Sequence, residues 1–175
     1  MRRYIKEQLI KWKNRNDRKP LILKGARQGG KTYVRKEFGN EEYDNVAYFN
    51  FDHDEALKNL FLSTKDPKRI LEQLVFVAGK PIMPEKTLII FDEIQECPDA
   101  LNSLKYFNEE ANEYHIACAG SLLGIKLSHA SFPVGKVEYL EMYPMTFSEF
   151  LLADNQENLV QYMESVKSIE KIPDI

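Results

Sequence analysis

The sequence predicts an α/β domain of three layers: five strands in a mostly parallel sheet, with helices on both faces. Strand-like runs alternate with helical segments through nearly all of the 175 residues. Several of those runs, "LILK" at 21–24 and "TLIIF" at 87–91 among them, are continuously apolar. Strands buried on both faces read that way, whereas half-exposed strands alternate. The residues with chemical character also cluster by position. Gly25 to Thr32, Asp92 with Glu93, and Gly120 with Ser121 fall where strands one, three and four end, the edge at which such sheets bind ligands.

The elements follow in order. Residues 2–13 read as a short amphipathic helix with Ile5, Leu9 and Trp12 on one face, and "NRNDRKP" as a polar turn closing at Pro20. "LILK" is strand one, Gly25 to Thr32 a loop, and "TYVRKEF" a helix that Gly39 is placed to cap. "NVAYFNF" is strand two. Helices are predicted over 54–62 and 67–78, the second with Pro67 in its first turn and Gly79 beyond its end. "TLIIFDE" is strand three, Pro98 opens a helix carrying Leu101, Leu104 and Phe107, and "YHIACAGS" is strand four. "KVEYLEM" is strand five. "TFSEFLLA" begins a last helix with a capping box from Thr146 to Glu149. The core is expected over 1–153. Residues 154–175, polar and weakly helical, are expected to begin a C-terminal extension cut short here.

Composition removes several classes. No apolar run approaches a membrane span, and the basic start lacks the apolar stretch of a signal peptide, so a cytoplasmic location is expected. Cys97 and Cys118 show no metal-ligand spacing and read as core thiols. The net charge of −3 conceals an asymmetry. Residues 1–36 hold thirteen Lys/Arg against two acids, net +11, leaving eleven basic and twenty-five acidic residues, net −14, in the remainder. A basic end of this kind is either a solvated helix face or an attractor of polyanions, nucleotide or nucleic acid. No finger spacing, RNA-binding aromatic signature or heptad supports specific nucleic-acid readout.

The loop Gly25-Ala26-Arg27-Gln28-Gly29-Gly30-Lys31-Thr32 fits G-x-x-x-x-G-K-[ST]. Glycines let backbone N–H groups close around an anion, and the helix that begins near Lys31, Thr32 and Tyr33 adds its positive N-terminal dipole. In that pattern Lys31 reaches the outer phosphates and the Thr32 hydroxyl takes a place on Mg²⁺. A plain glycine-rich turn capping a helix is the simpler alternative.

"LIIFDE" at 88–93 decides between holding and cutting. Asp92 at the strand end suits a magnesium ligand, direct or through water, and Glu93 suits a base that activates water toward the terminal phosphate. Two carboxylates leaving a buried strand are costly without a cation or partners. Ser121 either hydrogen-bonds the attacking water or the phosphate, or caps the following helix. Asn102 and Ser103 are less well placed. A serine-hydrolase reading fails, because Ala119 and Leu123 break the G-x-S-x-G elbow around Ser121. His53 reads as a surface-loop histidine.

Together, "KPLILKGARQGGKT", "FDEIQECPDAL" and "VGKVEYLEMYPMTFSEFL" resemble a prokaryotic group of AAA-type P-loop ATPases, over about Trp12 to Leu152. The resemblance implies strand order 5-1-4-3-2, ATP with Mg²⁺, and a water-activating Glu93. The chain departs from the family pattern at Gly29, where members usually carry Val, and at Lys136, where they carry Arg. If that arginine senses the terminal phosphate, Lys136 keeps the charge without the planar fork. Members also continue into a C-terminal region. AAA-type cores often draw on a helical lid and a neighbouring subunit's arginine, and no segment here supplies a clear lid. The expected catalytic set is Glu93, Lys31 and Ser121, the expected metal ligands Thr32 and Asp92, and the expected activity ATP hydrolysis. A nucleotide-gated interaction module, joining a second copy or a protein partner, and a nucleic-acid-associated ATPase stand as alternatives.

Overall fold

The computed structural model describes residues 4–26, 29–120, 133 and 135–166. Helix α1 (Tyr4–Lys13) leads into β1 (Leu21–Gly25), followed by α2 (Lys31–Glu42), β2 (Asn45–Asn50), α3 (Glu55–Ser63) and α4 (Pro67–Ala78). Then come β3 (Thr87–Asp92), one 3-10 turn (Ile94–Glu96), α5 (Pro98–Glu110), β4 (His115–Ala119), β5 (Glu138–Met142), α6 (Phe147–Ala153) and α7 (Glu157–Ser165). The strands form one sheet in order β2-β3-β4-β1-β5, every pairing parallel. This is the order the family resemblance implied, read from the other edge.

The continuous apolar strands are explained by two cores. Ile22 of β1 and Ile89 and Phe91 of β3 face the layer built with α3, α4 and α5, where Phe49, Phe51, Phe61 and Phe91 meet largely edge to face. Leu21, Leu23, Leu88 and Ile90 face the other layer, against Leu9 and Trp12 of α1 and Val34 and Phe38 of α2. The central strands β1, β3 and β4 therefore need apolar side chains at odd and even positions alike. Cys97 and Cys118 are buried and unpaired, as expected.

Several boundaries differ from the sequence reading. Helix α2 does not stop at Gly39 but runs to Glu42. Gly39 is there for packing: a Cβ on it would meet Val46 Cγ2 at 2.6 Å and Leu88 Cδ2 at 3.1 Å, so the bare backbone lets the helix lie close on the sheet. Strand β3 ends at Asp92 rather than Glu93, and β4 ends at Ala119. The polar tail, read as weakly helical, does contain a helix, α7, that keeps Val160 buried. By contrast, Gly79 caps α4 in the left-handed region, Asp66 caps its start, and the Thr146–Glu149 capping box is formed.

Among the described residues of the basic N-terminal segment, several charges have partners within the fold. Lys6 pairs with Glu37 and Glu41, Lys13 with Glu42, and Arg15 with Asp17 and Glu138. Lys24 and Lys36 lie over the rings of Tyr139 and Tyr48, and Arg35 is fully buried. Much of the positive charge is consumed inside the fold.

Candidate functional site

The carboxyl ends of β1 and β3 carry the predicted motifs, with β4 between them. Gly25 closes β1 beside Met142 of β5; a Cβ on Gly25 would lie 2.2 Å from the Met142 carbonyl oxygen, so only glycine lets the loop leave the sheet here. The Gly29 amide donates to the Ala26 carbonyl at 3.2 Å, folding the loop back. Gly30, at φ 82°, turns the chain into α2 in a conformation glycine adopts without cost.

The start of α2 differs from those of α3 and α4. Asp54 and Asp66 cap α3 and α4 with their side chains, but α2 has no side-chain cap and no acid in its first turn. Its first N–H groups and positive dipole end face the loop, a ready place for an anion. Lys31 folds over that loop, donating from Nζ to the carbonyls of Gly25 (3.0 Å) and Ala26 (2.7 Å). Burial pushes the Lys31 ammonium below its usual value, while the nearby Glu93 and Asp92 carboxylates act the other way.

Across from it sits Asp92, only 6% exposed at the end of β3. The Thr32 hydroxyl donates to its Oδ2 at 2.9 Å, and the Tyr48 hydroxyl donates to the same oxygen at 2.7 Å. Arg35, one turn along α2 and 0% exposed, pairs with Oδ1 at 2.6 Å. The same guanidinium donates to the carbonyls of Lys31 at 3.2 Å and Phe91 at 3.3 Å, tying the loop helix to the acidic strand. Burial alone would raise the Asp92 carboxyl; the Arg35 charge and the hydrogen bonds from Arg35, Tyr48 and Thr32 outweigh it and hold the carboxyl below its ordinary value. Burial, then the bond to Asp92, pushes the Tyr48 hydroxyl well up.

Glu93 follows at φ 50°, a left-handed conformation uncommon for a non-glycine residue. It caps the 3-10 turn, and Gln95 Nε2 donates to its Oε2 at 2.5 Å. Strain of this kind gathers at functional positions. The backbone here turns the Glu93 side chain away from the line of the strand and toward Gln95.

The structure thus brings together Gly25, Gly29, Gly30, Lys31, Thr32, Asp92 and Glu93. Tyr33 is exposed and its hydroxyl donates to Glu37, on the outer side of α2. Arg27, Gln28 and Ser121 lie outside the described residues. Ser103 is buried and donates to the Ala100 carbonyl within α5, and His53 is an exposed loop residue beside Asp52. Lys136 precedes β5, at the amino ends of the strands and away from the loop, where it pairs with Glu109 at 2.9 Å. Sequence reasoning assigned no role to Arg35, Tyr48 or Gln95. Their only signal was spacing: Arg35 stands three residues after Thr32, on the same helix face.

A glycine-rich loop between a parallel strand and a helix, with a strand-end carboxylate hydrogen-bonded to the loop's threonine, defines a P-loop nucleotide-binding domain. Within that class the chain belongs to the AAA domain family, whose profile matches residues 17–151. Nucleotide binding follows from that membership. Among solved structures, the chain resembles Drosophila ORC bound to DNA, with 19% identity and a TM-score of 0.55 over 91% of this chain and 48% of that one. It also resembles the Aeropyrum pernix ORC1 protein in complex with DNA, with 15% identity and a TM-score of 0.51 over 89% of this chain and 47% of that one. The likeness is one of fold, and the chain spans about half the length of these structures. No curated protein matches the chain. Among the described residues, no helix is long and apolar enough to cross a membrane.

Proposed function

We propose that the chain binds ATP with Mg²⁺ and hydrolyses it to ADP and phosphate. The observation that supports this most directly is the 2.9 Å contact between the Thr32 hydroxyl and Asp92 Oδ2. It joins a hydroxyl of the phosphate loop to the acid of a neighbouring strand end, two oxygen donors of the hard kind that Mg²⁺ takes. Residues 1–153 form the nucleotide core in this reading, with 154–175 an extension of it.

The loop amides from Gly25 to Thr32 and the uncapped end of α2 cradle the phosphates. Lys31 leaves the carbonyls of Gly25 and Ala26 and turns to the outer phosphates. Thr32 and Asp92 would hold Mg²⁺, which would supply charge neutralisation to the phosphates. Glu93, released from Gln95, takes a proton from a water that attacks the γ-phosphorus; the bond from that phosphorus to the bridging oxygen breaks and ADP leaves. Ser121 is proposed to orient that water or the γ-phosphate.

The test is phosphate release by the purified chain with ATP and Mg²⁺, beside Lys31→Ala and Glu93→Gln. Glu93→Gln should keep nucleotide affinity and lose turnover by about a hundredfold or more; Lys31→Ala should lose affinity. Undiminished turnover in Glu93→Gln removes Glu93 from its role.

A second reading, a nucleotide-gated module with slow hydrolysis, is favoured by the resting contacts. Glu93 is held by Gln95 and Lys31 by the loop itself. Self-association measured by light scattering should then differ between ATP, ADP and no nucleotide, and equal association in all three would sink it. The ORC structures hold DNA, but the internal use of the basic segment leaves a nucleic-acid role here with little support. Turnover unchanged by DNA or RNA at low salt is the expected result.

A further inference from the structure

The one fully buried arginine of the described residues forms an ion pair with the carboxylate proposed to hold Mg²⁺. That is an unusual place for a cation, because it repels the metal the site is meant to take. Two consequences follow from the contacts. Arg35 commits Asp92 Oδ1 at 2.6 Å, leaving Oδ2 as the oxygen that faces Thr32. And among the described residues the charges at the site cancel: Asp92 and Glu93 are balanced by Arg35 and Lys31.

We infer that Arg35 is a positioning residue that presents Asp92 through a single oxygen and cancels its charge, so that the site takes a divalent cation only together with nucleotide phosphates. The donor set agrees. Among the described residues, no three His, Cys, Asp or Glu side chains gather as a metal site. Two protein oxygens, one of them neutral, are too few for a cation that wants about six. The remaining ligands must come from phosphates and water, and phosphates also restore the negative charge that Arg35 removes. Tyr48 reinforces the arrangement by donating to Oδ2 at 2.7 Å, a bond the carboxylate surrenders only to a competing cation. The inference rests on the nucleotide reading of the site, but the experiment separates the two.

The probe is Mn²⁺, followed by the loss of its free paramagnetic resonance signal with and without ADP, each read against the same Mn²⁺ and ADP mixture without protein. The wild type should bind Mn²⁺ weakly alone and at least about tenfold more tightly with ADP. Arg35→Gln keeps an amide donor near Oδ1 but lifts the cancelling charge, and should bind Mn²⁺ without nucleotide about tenfold more tightly than the wild type. Arg35→Lys keeps the charge and should show no such gain, a difference that a purely structural role for Arg35 does not produce. Circular dichroism reports whether each variant is folded. Should Arg35→Gln not fold, Arg35→Met, which removes the charge and keeps apolar packing, takes its place with the same expected gain, and no gain in a folded Arg35→Met overturns the inference. Equal Mn²⁺ affinity of the wild type with and without bound ADP, or no gain in a folded Arg35→Gln, overturns the inference. A wild type that binds no ADP at all refutes the nucleotide reading instead.

Discussion

Replacing Asp92 by Asn is the sharpest test of the site's energetics, because here it is a stability experiment before it is a functional one. Asn has the same shape and keeps one oxygen to accept from Arg35. Its amide can donate to the hydroxyls of Thr32 and Tyr48 once these reorient, so the hydrogen bonds are largely recoverable. What is lost is the charge. Arg35, 0% exposed, would then be a buried guanidinium with no anion. Leaving one member of a buried pair uncompensated costs about 3–5 kcal/mol, and the retained hydrogen bonds put this case near the lower end, about 3 kcal/mol. For a chain of this size, each kcal/mol moves the melting temperature by about 2–4 °C, so Asp92→Asn should melt about 6–12 °C below the wild type.

The assay is thermal unfolding without nucleotide, followed by circular dichroism at neutral pH. Glu93→Gln is the control: it removes an acid that forms no ion pair among the described residues, and it should melt within about 2 °C of the wild type. Adding Arg35→Met to Asp92→Asn should recover part of the loss, since the orphaned charge goes with it. Raising the salt should change the gap little, because a pair this buried is poorly screened. An Asp92→Asn chain that melts within about 2 °C of the wild type would refute the burial of Arg35 against Asp92, and with it the argument for charge cancellation.

Two further predictions test other parts of the fold. Gly25→Ala puts a Cβ 2.2 Å from the Met142 carbonyl oxygen, more than 1 Å short of ordinary contact, and should cost about 1–3 kcal/mol while weakening fluorescent ADP binding; unchanged affinity and melting would refute the close approach of loop and β5. His115 lies at the opposite end of the sheet, sharing a 2.7 Å hydrogen bond with Tyr43 and held at about 4 by burial, with Arg18 and Lys13 adding to the effect. The unfolded chain, at about 6.5, binds a proton there before the folded one does, so stability falls as pH drops through the window from about 6.5 to about 4. Between pH 7 and 5 the loss should be about 2 kcal/mol in urea unfolding, and His115→Gln should flatten it; the same slope in that variant would show that other groups set it.

The fold was legible because its rules act along the chain. Continuous apolar strands, Pro67 and Pro98 at helix starts, Gly79 beyond a helix end, and the box from Thr146 to Glu149 are all local signals, and each was read correctly. Gly39 misled for a physical reason: a glycine after a helical run signals a stop, but close approach of a helix to a sheet calls for the same residue. Which of the two applies depends on Val46 and Leu88, neighbours in space rather than in sequence. The acidic partners of the basic run, Glu37, Glu41, Glu42 and Glu138, were likewise not legible, since they come from other elements.

The site divides along that same line. Loop and acids announce themselves because an anion-binding backbone needs glycines at fixed spacing and a strand-end carboxylate stands out against an apolar run. Arg35 and Tyr48 do not, because an arginine in a helix and a tyrosine in a strand are ordinary until the sheet register sets Asn50 beside Asp92 and brings Tyr48 alongside. The cost of two acids leaving a buried strand pointed to a cation or partners. The chain supplies partners of its own, Arg35 first, and that changes what the carboxylate can do: an acid already neutralised by its own protein is a poor trap for a free metal ion and a good seat for one that arrives carrying phosphate. In the proposed reading, selectivity for a metal–nucleotide complex over the bare metal would come from a residue that never needs to touch either.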